Sequence, residues 1–141
     1  MTLLLKLHQV IETDINTAFE LWTNPNHLKK WWGPPDVKCV HAEVDLHVGG
    51  SYRLDNQLPD NTIVTISGQY LSIEPPRLLR FSWRVNDSLT RETVTVQFLE
   101  KEQHTEVIVV HDKIPDATTR DSHERGWKGC FEKLQQLLAI N

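Results

Sequence analysis

Apolar and polar residues alternate strictly along several stretches of this chain, and the period changes only near its two ends. From 3 to 11 the run LLLKLHQVI puts Leu3, Leu5, Leu7 and Ile11 on one face, which predicts a first strand. Asp14 then reads as a helix N-cap, followed at helical spacing by Ile15, Ala18, Phe19 and Trp22. Asn24-Pro25 predicts a second helix, with Asn as cap and Pro at the first position. Leu28, Trp31 and Trp32 form its apolar side. Gly33-Pro34-Pro35 ends it, because proline cannot continue a helix and pushes its predecessor toward extended geometry.

The middle of the chain reads as strands. DVKCVHAEVDLHV (36–48) sets Val44, Leu46 and Val48 on one side and Asp45 and His47 on the other, and Gly49-Gly50 turns the chain into SYRLD with Tyr52 and Leu54 on one face. TIVTISGQYLSI (62–73) alternates through Val64, Ile66, Gly68 and Tyr70, and Glu74-Pro75-Pro76-Arg77 makes a tight turn. LLRFSWRV (78–85) alternates most clearly, with Leu79, Phe81, Trp83 and Val85 against Arg80, Ser82 and Arg84. In RETVTVQFLE (91–100) Val94, Val96 and Phe98 face inward. HTEVIVVHD (104–112) is apolar on both faces, as a central strand should be. From about Asp116 the period turns helical, with Trp127, Cys130, Phe131, Leu134, Leu137 and Leu138 on one face. Consecutive strands with short turns predict an antiparallel sheet of about six or seven strands. Strands followed by a long helix predict an α+β fold, with that helix covering the apolar face.

Composition narrows the class. The 141 residues suffice for a single domain, 1–141, with one core. A net charge of −4, with Lys29-Lys30 as the longest basic grouping, argues against nucleic acid and anionic membranes as partners. No stretch reaches the roughly 20 apolar residues of a membrane span, and the amino-terminal run lacks the features of a signal peptide. Cys39 and Cys130 have no metal-type spacing, and a reducing cytoplasmic setting is expected.

Five pieces in order now carry a resemblance: FELWTNPNHLKKWWGP (19–34), EVDLHVGGSYRL (43–54), GQYLSIEPPRLLRFSW (68–83), TEVIVVH (105–111) and HERGW (123–127). Together they resemble the activator of heat-shock-protein-90 ATPase homolog-like family, within the START-related (SRPBCC) superfamily, over nearly the whole chain. The resemblance implies a helix-grip fold, a curved antiparallel sheet wrapped around a long C-terminal helix, with two short helices after the first strand. Many members enclose a cavity for a hydrophobic ligand between sheet and helix. The family pattern usually has Arg in the DLHVGG segment; here His47 replaces that permanent charge with a titratable one.

Against this frame the residues suggest a site. Trp31 and Trp32 point about 100° apart on a helix; one ring is expected in the core and the other at a cavity mouth. Gly126 and Gly129 each cost about 1 kcal/mol inside a helix, which either close packing or space for a ligand must offset. The expected lining is Tyr52, Leu54, Tyr70, Phe81, Trp83, Trp127 and Phe131, suited to a flat apolar molecule with one or two oxygens. His111, in phase with Val107 and Val109, and His123, one turn before Trp127, are candidates to hydrogen-bond it. An empty apolar void of about 300 Å³ would cost on the order of 7 kcal/mol, half or more of a typical domain's stability. Any such space should therefore be small, hydrated, closed by side chains or occupied.

Catalytic and metal motifs are sparse. His123-Glu124 is half of an HExxH motif, and His41 and His47 share a strand face without an apparent third ligand, so no metal or cofactor is expected. Neither a dinucleotide-binding glycine motif, a P-loop nor a nucleophile elbow is present. The leading expectation is non-catalytic binding of a small hydrophobic, aromatic or lipid-like molecule. An interaction module acting on the chaperone, and a cyclase or hydrolase of the same superfamily, stand as alternatives. A homodimer is left open.

Overall fold

The structure is a computed structural model and describes residues 2–139. It contains β1 (Leu3–Ile11), α1 (Ile15–Thr23), α2 (Pro25–Trp31), β2 (Lys38–Val44), β3 (Ser51–Gln57), β4 (Ile63–Glu74), β5 (Leu78–Val85), β6 (Glu92–Lys101), β7 (His104–Ile114) and α3 (Ala117–Ala139). The strands form one curved antiparallel sheet in the order β1-β7-β6-β5-β4-β3-β2. Every neighbouring pair is joined by a hairpin except β1 and β7; the two short helices carry the chain from β1 at one edge of the sheet to β2 at the other.

Local chemistry sets the helix ends. The Asp14 carboxylate accepts the Thr17 amide at 2.9 Å, and the Asn24 side chain accepts the Asn26 amide at 2.9 Å. Each satisfies an amide that the first helical turn cannot pair internally. Asp116 does the same for α3, accepting from the Thr119 amide at 2.8 Å.

One expectation is corrected. The alternation through Asp45–Val48 does not extend β2, which ends at Val44. Residues 45–50 fold into successive tight turns, with the His47 amide on the Asp45 carbonyl and the Gly50 amide on the His47 carbonyl. Gly49 takes φ +89° within them, a conformation that glycine adopts without steric cost. Reversal into β3 consumes those residues, leaving Leu46 and Val48 exposed. His47 and Asp45 form an exposed pair at 2.8 Å.

One face of the sheet packs beneath the helices. Leu79, Val94, Val96, Phe98, Val107 and Val109 are wholly buried there, together with Trp31 from α2 and Leu134 from α3. Helix α3 meets the sheet at β1 and β7, while α1 reaches β6 and β7 and α2 packs on β2. The β3–β5 side therefore faces α3 across a gap spanned by side chains. No helix among the described residues is long and apolar enough to cross a membrane.

Candidate functional site

The segment WWGPP ties the second helix to the last one. The Trp31 indole N–H donates to the Leu21 carbonyl at 2.9 Å, and its ring lies 4.5 Å from that of Trp22, inside the core. Trp32 turns the other way and meets the Trp127 ring edge-on at 5.3 Å. Gly33, at φ +94°, turns the chain so that its amide donates to Cys130 Sγ at 3.2 Å. Burial pushes the Cys130 thiol up to about 12, so it acts there as a neutral acceptor. Lys133 Nζ donates to the Trp32 carbonyl at 3.2 Å and the Val37 carbonyl at 2.7 Å, closing the loop against α3.

Beyond that loop lies a cleft of about 990 Å³, open to solvent. Its floor is sheet: Asn56 from β3, Val64 and Ile66 from β4, Trp83 and Val85 from β5, and Glu92 at the start of β6. Its roof is α3, through Thr119, His123, Gly126, Trp127 and Cys130, with Trp32 to Pro34 at one end. A Cβ built on Gly126 would have nothing within 4 Å, so this glycine leaves the cleft clear. Gly129 faces Pro34 instead: the close approach expected of a helix glycine is to the loop, not to the sheet.

The polar centre of the cleft wall is Glu92, only 5% exposed. His111 Nε2 lies 2.7 Å and His123 Nε2 2.8 Å from the same carboxylate oxygen, Oε1, and the two imidazoles stack with centroids 4.4 Å apart. The sheet brings Glu92 and His111 together. His111 is opposite Val94 across β6–β7, and Glu92 sits two residues before Val94 on the same face. Trp83, opposite Glu92 across β5–β6, packs edge-on against both imidazoles. Helix α3 then lowers His123 and Trp127, one turn apart, onto the pair.

Trp127 settles the protonation of His111. Its indole N–H donates to His111 Nδ1 at 3.1 Å, and an indole nitrogen is a donor only. The imidazole proton must therefore lie on Nε2, aimed at Glu92. Burial lowers the His111 pKa, keeping the ring neutral. Burial alone would raise the Glu92 carboxyl, but the hydrogen bonds from His111 and His123, the largest of the opposing effects, help to outweigh it and lower it to about 2. The carboxylate is thus ionised.

Glu92, His111 and His123 have the ligand types of a metal site, with candidate atoms within 4.8 Å of one another. The donor chemistry opposes that use. A metal on His111 Nε2 would move its proton to Nδ1, against the Trp127 N–H. Metal-bound histidines almost always give their second N–H to an acceptor; here the second nitrogen faces a donor.

Of the residues proposed from sequence, Trp32, Trp83, His123 and Trp127 line the cleft. His111 stands directly behind it, bonded to Glu92 and Trp127. Tyr52, Leu54, Tyr70 and Phe81 pack instead around a void of about 20 Å³, separate from the cleft and bordered also by Trp22 and Trp32. The Tyr52 hydroxyl is already taken by the Ser82 carbonyl at 2.7 Å. Trp31 lies in the core, and Phe131 packs between Trp22 and Trp127. Sequence reasoning missed Glu92 and Asn56. A signal existed for Glu92: it shares the inward phase of Val94, Val96 and Phe98, and an acid in that phase needs a partner.

Comparison with solved structures supports the architecture. The AHSA1 protein of Silicibacter pomeroyi superposes with a TM-score of 0.88 at 22% identity, covering 98% of this chain and 99% of that one. A Chromobacterium violaceum protein gives 0.87 at 23% identity, covering 96% of each chain. A Plasmodium falciparum protein described as an HSP90 activator gives 0.75 at 21% identity, also covering 96% of each. At such identities the likeness shows the fold alone. No curated protein matches the sequence. The sequence profile of one family spans residues 12–139, and on that match this chain belongs to the family described as activator of Hsp90 ATPase homolog 1-like protein.

Proposed function

We propose that the protein binds a small, largely apolar molecule in the cleft between the sheet and α3. The observation that carries this reading is a space of about 990 Å³ with apolar walls around a buried, ionised carboxylate. Ligand pockets combine such walls with a few placed polar groups. Trp32, Trp83 and Trp127 provide flat apolar surface, Val64, Ile66 and Val85 the aliphatic floor, and Glu92 with His123 the polar anchor. Three indoles at one site make binding visible in their fluorescence.

Native mass spectrometry after gentle purification, tryptophan quenching and thermal shift with aromatic and lipid-like compounds test this reading. Saturable quenching with a raised melting temperature is the expected result. No quenching and no shift across a broad apolar library would overturn it. The family's description and the likeness to the Plasmodium falciparum HSP90 activator favour a separate chaperone reading. A raised Hsp90 ATPase rate on adding the protein would support that one.

A further inference from the structure

The class of ligand can be narrowed, on the footing of the cleft-binding reading above. The Glu92 cluster has an uneven count of donors and acceptors. Both imidazoles converge on Oε1 of Glu92, and no described residue donates to Oε2. That oxygen is not sealed in: it is absent from the buried polar atoms without partners, and Glu92 lines the cleft. His111 is saturated, with Nδ1 held by Trp127 and Nε2 on Glu92. His123 gives Nε2 to Glu92 and has no partner at Nδ1 among the described residues. Asn56 Oδ1 and Trp83 Nε1, both from residues on the same floor, are buried without partners. Those two atoms are shut off from solvent and do not face the cleft; the unmatched atom on the cleft wall is Glu92 Oε2, and an acceptor left without a donor is costly.

From this unmatched oxygen we infer that the cleft selects apolar molecules ending in a neutral hydroxyl, an alcohol or phenol, whose proton goes to Glu92 Oε2, and discriminates against molecules ending in a carboxylate. A hydroxyl both donates and accepts. It can therefore give its proton to the Glu92 oxygen while its own lone pairs stay open to water in the solvent-exposed cleft. A carboxylate has no proton to give and sets a second negative charge beside a desolvated one. Arg125 also borders the cleft, but it is exposed at the rim and its charge is screened by solvent.

Isothermal titration of the purified protein at neutral pH with 2-naphthol, naphthalene and 2-naphthoate tests the selection on one scaffold. The expected order is naphthol, then naphthalene, then naphthoate, with naphthol at least tenfold tighter than naphthoate. In Glu92→Gln the ratio of naphthol to naphthoate affinity should fall below threefold, because the charge is gone and the amide can donate. The wild-type ranking decides the matter on its own if that variant does not fold. Naphthoate binding as tightly as naphthol would overturn the selection while leaving cleft binding in place. Failure of all three to bind would overturn the selection, whereas the cleft-binding reading falls only if the broad apolar library fails as well.

Discussion

A Cβ placed on Gly129 would lie 2.8 Å from the Pro34 Cβ, so α3 rests on the Gly33-Pro34 turn at a distance only glycine permits. This contact explains one helix glycine by packing. Gly126, one turn earlier and open to the cleft, has no such neighbour.

Gly129→Ala is expected to destabilise the protein by up to about 2 kcal/mol net. Overpacking costs about 1–3 kcal/mol, partly offset by a helix-propensity gain of about 1 kcal/mol. Urea unfolding measures it; an unchanged midpoint would mean that the loop shifts freely.

Gly126→Ala is expected to stabilise by about 1 kcal/mol, because its methyl enters open space. Gly126→Leu should fold as well as wild type yet weaken cleft ligands tenfold or more by filling the roof beside Trp127. Parallel melting and titration curves check the pair.

Trp127→Phe removes the donor to His111 Nδ1 while keeping an aromatic ring. A loss of about 1–3 kcal/mol is expected for the stranded acceptor and the smaller ring. Nitrogen NMR of the imidazole should show the Nε2–H tautomer in both proteins, because the ionised Glu92 can only accept from Nε2, with the Nδ1 resonance moved in the variant by loss of its donor.

Acid should unfold the protein in two stages. The lowered pKa of His111 means that the unfolded chain takes up its proton first, so stability falls as pH drops below the ordinary value of 6.5. The Glu92 carboxyl, held down to about 2 from 4.5, contributes stability that is complete above 4.5 and lost as pH falls toward 2. Melting temperature against pH should show both slopes, and Glu92→Gln should flatten the lower one to what Asp14, Asp55, Asp60 and Asp116, also held low by hydrogen bonds, contribute.

Lys133→Met strands the Trp32 and Val37 carbonyls that the ammonium now joins. A loss of about 1–2 kcal/mol is expected, together with weaker ligand binding because the Trp32 wall is no longer pinned. Comparison with Lys128→Met, whose ion pair with Glu124 is largely exposed, separates this from a general charge effect, since exposed pairs contribute little.

Strand phases and helix caps were legible because each depends on residues within a few positions of one another. Leu79, Phe81 and Trp83 alternate against Arg80, Ser82 and Arg84, and no other placement buries the first set. The same reasoning overran at Asp45–Val48, where a periodic pattern was spent on a turn. It also gathered Tyr52, Leu54, Tyr70 and Phe81 with Trp83 and Trp127 as one lining. The phase says that all face inward, but not how far along the sheet each one sits from the helix.

The amino-acid order by itself determined the elements, their faces and the α+β class, because hydrophobic burial acts through a local period. Only the tertiary structure decided that Glu92, His111 and His123 share one carboxylate oxygen, and that Trp127 sets the tautomer of that group. Those residues lie on two strands and a helix, and their meeting depends on strand register and on where α3 crosses the sheet. The cleft itself arises because α3 contacts the sheet at β1 and β7, leaving the β3–β5 side without a helix pressed against it.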